Sequence, residues 1–201
     1  MAEQAGAGTQ ASSSALSGGV TEPVSGAGPD GVAGAGAVAG PAAQELATEI
    51  LVLLTESGQT VATAESLTGG LVAAALTDIP GSSAAFRGGV VAYATELKAR
   101  VLGVDLAMLN AHGPVYGPVA AAMAEGVRQR LRATVGVSTT GVAGPGDSDG
   151  FPAGTVHVAV SLADDTVVRT MALTGNRDEV RRLAVERALG LLLGRLREEC
   201  A

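Results

Sequence analysis

From residue 43 to residue 197 the chain alternates short apolar runs with amphipathic stretches, and this alternation restricts its fold more than any other feature. Strands that take turns with helices settle into a layered α/β sandwich, because each helix must cover part of a sheet face. Leu46, Ile50, Leu53 and Leu54 recur at helical spacing and Gly58 supplies a stop, so the spacing predicts a helix over 43–57. Strand patterns follow at 60–64, 88–93 and 134–140, with helical patterns at 68–77, 96–102, 105–111 and 117–132 between them. Ala163-Asp164-Asp165 separates two further strand patterns, 154–162 and 166–173, and reads as a hairpin. A last helix over 177–197 lines up Val180, Leu183, Ala184, Ala188, Leu191 and Leu192. The hairpin forces at least one antiparallel strand, so the expected sheet is mixed and mostly parallel.

Residues 1–42 are of a different kind. They are Gly, Ala, Ser and Pro with Glu3, Glu22 and Asp30 as the only charges and no hydrophobic period. Such a segment buries too little to offset its ordering entropy, so it reads as a disordered tail ahead of a domain over 43–201. Setting its three acids aside leaves 17 acidic against 13 basic side chains in the domain. The whole chain carries a net charge of −7, which excludes a basic surface that holds nucleic acid by counterion release. Its four aromatics, Phe86, Tyr93, Tyr116 and Phe151, are too few for a base-stacking platform. Cys200 is the single cysteine and His112 and His157 stand far apart, so neither a disulfide framework nor a metal-ligand motif is visible. No apolar run reaches the roughly 18 residues of a membrane span. No basic segment opens the chain. The expectation is a soluble cytoplasmic protein that uses no metal or cofactor.

In α/β sheets, ligands bind beyond the carboxyl ends of the parallel strands. Three segments leave strands at that edge. Thr63-Ala64-Glu65-Ser66-Leu67-Thr68-Gly69-Gly70 places Ser66 between a strand and a helix. The N–H groups of Thr68, Gly69 and Gly70 suit an anion or an oxyanion, although Ser66 or Thr68 could equally be a plain helix cap. Tyr93 closes the next strand, and Lys98 follows one turn into a helix. Lys98 is the only lysine; the other twelve basic residues are arginine. A desolvated lysine can give up its proton where an arginine cannot, so Lys98 invites a base assignment, its alternative being an exposed helix residue. The third segment, Thr139-Thr140-Gly141-Val142-Ala143-Gly144-Pro145-Gly146, is rich enough in glycine to cradle phosphate through its backbone, or is a connector. Asp147 and Asp149 suggest a calcium loop, but Val158 stands where that loop needs Glu. Arg177, at the start of the last helix, could pair with phosphate or simply face solvent. His112 reads as a helix C-terminal residue, and His157 and Tyr116 as packing residues. Ser66, Tyr93 and Lys98 beside glycine-rich anion loops form a constellation of the Ser–Lys hydrolase type.

Six ordered blocks then carry a family resemblance. They are T-A-E-S-L-T-G-G, P-G-S-S-A-A-F-R-G-G-V-V-A-Y, E-L-K-A-R-V-L-G-V, T-T-G-V-A-G-P-G, G-T-V-H-V-A-V and L-T-G-N-R. Over residues 43–197 the chain closely resembles the CinA C-terminal domain family, which includes stand-alone nicotinamide-nucleotide amidases. The resemblance implies a three-layer α/β/α sandwich with a five-stranded mixed sheet. It also implies hydrolysis of the carboxamide of nicotinamide mononucleotide without a metal. Ser66 corresponds to the nucleophile, Lys98 to the base and Tyr93 to the tyrosine beside them. Thr68, Gly69 and Gly70, with Thr140, Gly141, Ala143, Gly144, Gly146 and Arg177, are expected to bind substrate. A homo-oligomer, a dimer, is expected, with a small nucleotide as the only other partner. Ala94-Thr95 and Tyr116-Gly117 depart from the usual family pattern, at the support of Lys98 and at a pocket edge or dimer surface. Two other readings belong to different classes: a silent pyridine-nucleotide binder, and an interaction partner in DNA uptake or damage responses.

Overall fold

The computed structural model describes residues 40–199. The tail assigned to residues 1–42 therefore lies outside the described residues as far as residue 39, and its last two residues already belong to the first helix. Cys200 is also outside them.

The element order is α1 (Pro41–Glu56), β1 (Val61–Glu65), α2 (Leu71–Thr77), a 3₁₀ turn (Ser82–Ala84), β2 (Phe86–Val91), α3 (Thr95–Leu102), α4 (Leu106–His112), α5 (Gly117–Arg130), β3 (Val135–Gly141), β4 (Thr155–Ser161), β5 (Thr166–Ala172) and α6 (Arg177–Glu199). The five strands make one sheet in the order β2-β1-β3-β4-β5. β1 pairs in parallel with β2 and with β3, whereas β4 runs antiparallel to both β3 and β5. The hairpin expected around Ala163 is present, with Ser161 opposite Thr166.

Two cores form because alternate residues of each strand point to opposite faces. On one face Ile50 and Leu54 of α1, Val72 and Leu76 of α2, and Leu189, Leu192 and Leu196 of α6 pack on Val61, Val135, Val137 and Val158. On the other, Leu102, Leu109, Met123 and Val127 from α3, α4 and α5 pack on Ala62, Ala64 and Ala92. The result is three layers, helix–sheet–helix. Small side chains on the second face let α5 come close to the sheet. At Gly136 of β3 a Cβ would stand 2.0 Å from the Ala124 carbonyl oxygen, so no larger residue fits.

Chain path places the site. From β1 the chain crosses through α2 to β2; from β2 it crosses back through α3, α4 and α5 to β3, on the other side of β1. The connections diverge at β1, which opens a crevice beyond the carboxyl ends of β1 and β3. Ser66, Tyr93 and Gly141 all lie at this edge of the sheet.

Helix α2 starts at Leu71, three residues later than the pattern of small and apolar residues suggests. The reason is Glu65. Its carboxylate, 1% exposed at the end of β1, accepts hydrogen bonds from the Thr68 hydroxyl (2.7 Å) and from the N–H groups of Gly70 (2.9 Å), Val72 (3.1 Å) and Ala73 (2.8 Å). Residues 66–70 thus wrap around a carboxylate before the helix begins. Replacing Glu65 with Ala would leave the Gly70, Val72 and Ala73 N–H groups, buried or half-buried, without this acceptor, while the Thr68 hydroxyl keeps Thr139, at a cost of about 3–5 kcal/mol. A drop in melting temperature of about 10 °C in the Glu65→Ala variant is the expected result, read by calorimetry.

Candidate functional site

Lys98 is the residue around which the site is built. It lies in the first two turns of α3, is 1% exposed, and makes no ion pair among the described residues. Its Nζ donates to the Ser66 Oγ at 3.1 Å, the Ala92 carbonyl at 2.8 Å and the Tyr93 carbonyl at 3.4 Å. All three ammonium protons are therefore met by oxygens, none of which carries a charge. Burial pushes the Lys98 pKa down from 10.5 to about 8, against the opposing pull of the Asp149 and Glu96 carboxylates. Ser66 is itself nearly buried, and its N–H is tied to the Thr139 carbonyl at 3.0 Å. The hydroxyl and the amine expected from the sequence to work together are in contact.

The pair lines a pocket of about 170 Å³, walled also by Leu67, Tyr93, Thr140, Gly141, Ala143 and Arg177 among others. A second depression shares Tyr93, Gly141, Ala143 and Arg177 and adds Gly144 and Gly146. Most of the expected substrate residues are thus brought to one place. Arg177 donates to the Gly144 carbonyl at 2.7 Å and to the Tyr93 hydroxyl at 3.2 Å, which ties α6 to the loop after β3. Among the described residues, the N–H groups of Ala143, Gly144 and Gly146 have no acceptor, so they remain available to an anion. Thr140 holds the pocket wall by donating to the Pro114 carbonyl at 2.8 Å.

Two placements differ from the sequence expectations. Tyr93 meets Lys98 through its backbone carbonyl, while its phenol, on an exposed side chain, faces Arg177. Neither Gly69 nor Gly70 lines the pocket, and the Thr68 hydroxyl is taken up by Glu65 and Thr139. The Gly69 N–H donates to the Ser66 carbonyl at 3.1 Å and the Gly70 N–H to Glu65, so those two donors are engaged within the protein. The unengaged N–H groups next to Ser66 are those of Leu67 and Thr68.

Two supporting residues went unseen in the sequence. Glu65 is one; the signal was an acid closing a fully buried five-residue strand. Arg181 is the other, donating to the Leu67 carbonyl at 3.1 Å and the Thr68 carbonyl at 3.0 Å. It stands one helical turn after Arg177, a spacing that puts both on one helix face. His112 ends α4 and stacks on Tyr116 at 4.5 Å. His157 is buried with its Nδ1 against the Thr170 hydroxyl at 2.8 Å, and burial lowers its pKa. Among the described residues, no three His, Cys, Asp or Glu side chains converge as a metal site requires. None of the described helices is long and apolar enough to cross a membrane.

Comparison with known proteins adds the following. Residues 43–196 match the family model described as CinA C-terminal domain. A CinA-like protein of Frankia casuarinae is 53% identical over 159 residues, covering 79% of this chain and 36% of its own length. A putative competence-damage inducible protein of Caldanaerobacter subterraneus is 46% identical over 139 residues, 69% of this chain and 34% of its own. The chain spans about a third of the length of the curated relatives it matches. Among solved structures, the competence/damage inducible protein CihA of Agrobacterium tumefaciens superposes with a TM-score of 0.76 at 39% identity, covering 79% of this chain and 98% of that one. A CinA superfamily protein of Escherichia coli gives a TM-score of 0.73 at 34% identity, covering 75% and 88%.

The buried amine sets a stability test. Between pH 8 and 10.5 the unfolded chain holds a proton on Lys98 that the folded chain releases, so this residue makes stability rise with pH across that window. Below it both states are protonated and the folded state bears a penalty of about 3 kcal/mol. The Lys98→Met variant lacks the titration. Denaturant unfolding of both proteins should show the wild type gaining about 3 kcal/mol on the variant as pH rises through that range.

Proposed function

The chain belongs to the CinA C-terminal domain family, and on that premise we propose that it is an amidohydrolase that hydrolyses the carboxamide of nicotinamide mononucleotide through Ser66 and Lys98. The observation that carries this reading is the 3.1 Å contact between the Lys98 amine and the Ser66 hydroxyl inside a pocket. A serine hydroxyl is a weak nucleophile unless a neighbouring base takes its proton. Lysine serves only as the free amine. A pKa of about 8 makes that form roughly a tenth of the protein at neutral pH, against less than a thousandth for an ordinary lysine.

The geometry supports the following sequence of events. The phosphate of the nucleotide lies on the backbone of Ala143, Gly144 and Gly146, with Arg177 supplying positive charge. Anchoring there orients the carboxamide over Ser66, and orientation alone contributes up to several kcal/mol. The Ser66 oxygen attacks the carboxamide carbon while its proton passes to Lys98. The carbonyl electron pair moves onto oxygen, where the Leu67 and Thr68 N–H groups receive it. One good donor at such a place is worth roughly 3 kcal/mol. As the tetrahedral centre collapses, Lys98 returns the proton to the departing nitrogen and ammonia leaves. Water then attacks the ester on Ser66, giving the acid and restoring the hydroxyl. Tyr93 contributes the carbonyl that seats the amine and a phenol at the pocket mouth beside Arg177.

Mass spectrometry of nicotinamide mononucleotide incubated with purified protein should show the gain of one mass unit that accompanies amide-to-acid conversion, with ammonia in equal amount. Ser66→Ala and Lys98→Arg should each lower turnover by about 10³-fold or more while the protein stays folded, since arginine keeps its proton. Because the free amine is the working form, kcat/KM should rise with pH and level off above about 8. Unchanged turnover in either variant, or a nucleotide left intact by the wild type, contradicts the proposal.

A further inference from the structure

We propose that Arg181 is a positioning residue for the Ser66 reaction, holding the peptides after Ser66 so that the Leu67 and Thr68 N–H groups stay turned toward the developing oxyanion. The inference deepens the amidohydrolase reading and rests on it. In a trans peptide the N–H and C=O point in opposite directions, so tying a carbonyl on one side aims the amide hydrogen at the other.

Three consecutive carbonyls after the nucleophile are tied this way. The Ser66 carbonyl accepts the Gly69 N–H at 3.1 Å, which turns the Leu67 N–H away from that side. The Leu67 carbonyl accepts the Arg181 Nε–H at 3.1 Å, which does the same for the Thr68 N–H. The Thr68 carbonyl accepts the Arg181 Nη2–H at 3.0 Å and the Leu71 N–H at 3.3 Å, and its own peptide supplies the Gly69 N–H that closes the first bond. One guanidinium therefore orients one donor directly and the other through Gly69. Its planar fork suits two neighbouring carbonyls in a way a lysine ammonium cannot reproduce.

Two more observations fit this role. Among the described residues Arg181 has no carboxylate within ion-pair distance, so its charge is directed at the two carbonyls. That charge polarises the same peptides and strengthens their N–H groups as donors. The loop is also built to admit it. Gly69 has φ +63°, and a Cβ there would lie 3.3 Å from the Arg181 Nη2.

The test uses the rate at which a fluorophosphonate probe modifies Ser66, followed by intact mass and peptide mapping. In that step the Ser66 oxygen bonds to phosphorus, fluoride leaves, and the serine proton passes to Lys98. The phosphoryl oxygen draws on the same N–H donors, so no knowledge of the natural amide is required. Arg181→Ala should react about a hundredfold more slowly than the wild type, the size of losing one oxyanion donor. Added guanidinium ion should restore part of that rate to Arg181→Ala and leave the wild type unchanged. Arg181→Lys and Gly69→Ala, which keep the charge or the guanidinium, should fall between the two and serve where Arg181→Ala does not fold. Reaction of folded Arg181 variants at Ser66 within about twofold of the wild-type rate, or slowing that guanidinium does not relieve, overturns the role of Arg181 alone. A wild type left unmodified at Ser66 overturns the nucleophile reading and this inference with it.

Discussion

A lysine amine without a counter-ion, buried against a serine hydroxyl, is the interaction on which the site depends. Taking an ammonium out of water costs free energy unless a charge partner compensates, and Lys98 has only three neutral oxygens. The cost appears as a lowered pKa, and the lowered pKa is what the proposed role of Lys98 as a base requires. The rest of the fold supplies what Lys98 withholds. Two hydrophobic cores, one on each face of the sheet, carry a residue that weakens the folded state at neutral pH.

Topology explains why these groups meet. Ser66 follows β1, the carbonyls of Ala92 and Tyr93 follow β2, and Gly141 ends β3, the three strands being parallel and adjacent. Parallel strands bring their carboxyl ends to one edge, so residues widely separated in sequence share one pocket. The helices then hold the edge in place from both faces. Lys98 reaches in from α3 on one side, and Arg177 and Arg181 from α6 on the other. Glu65 completes the frame from inside the sheet by taking up the first donors of α2. The loop after Ser66 is thereby fixed by a buried anion beneath and a cation beside it.

Much of this was legible in the chain itself. Periods of helix and strand marked every major element, because apolar side chains must face one of two cores. The hairpin at Ala163-Asp164-Asp165 was marked by polar residues between two apolar runs. Lys98 stood out because a chain that otherwise uses arginine retains a single lysine. What stayed hidden depends on contacts across the fold. The start of α2 at Leu71 is set by a carboxylate that local propensity does not register. Arg181 reaches Leu67 over a separation of 114 residues, and only the packing of α6 against the loop reveals that bond. Tyr93 looked like a phenol for catalysis, yet it is the backbone carbonyl at that position that touches the amine.

The proposed reaction needs Lys98 as a free amine, and the lone lysine allows a direct reading of its protonation. Protein labelled with ¹³C-lysine carries one side-chain Cε signal, whose shift follows the protonation of that amine alone. A titration midpoint near pH 8 is the result this account requires. A midpoint near 10.5, the value of a lysine in water, would mean that the amine keeps its proton under working conditions and that Ser66 has no base beside it.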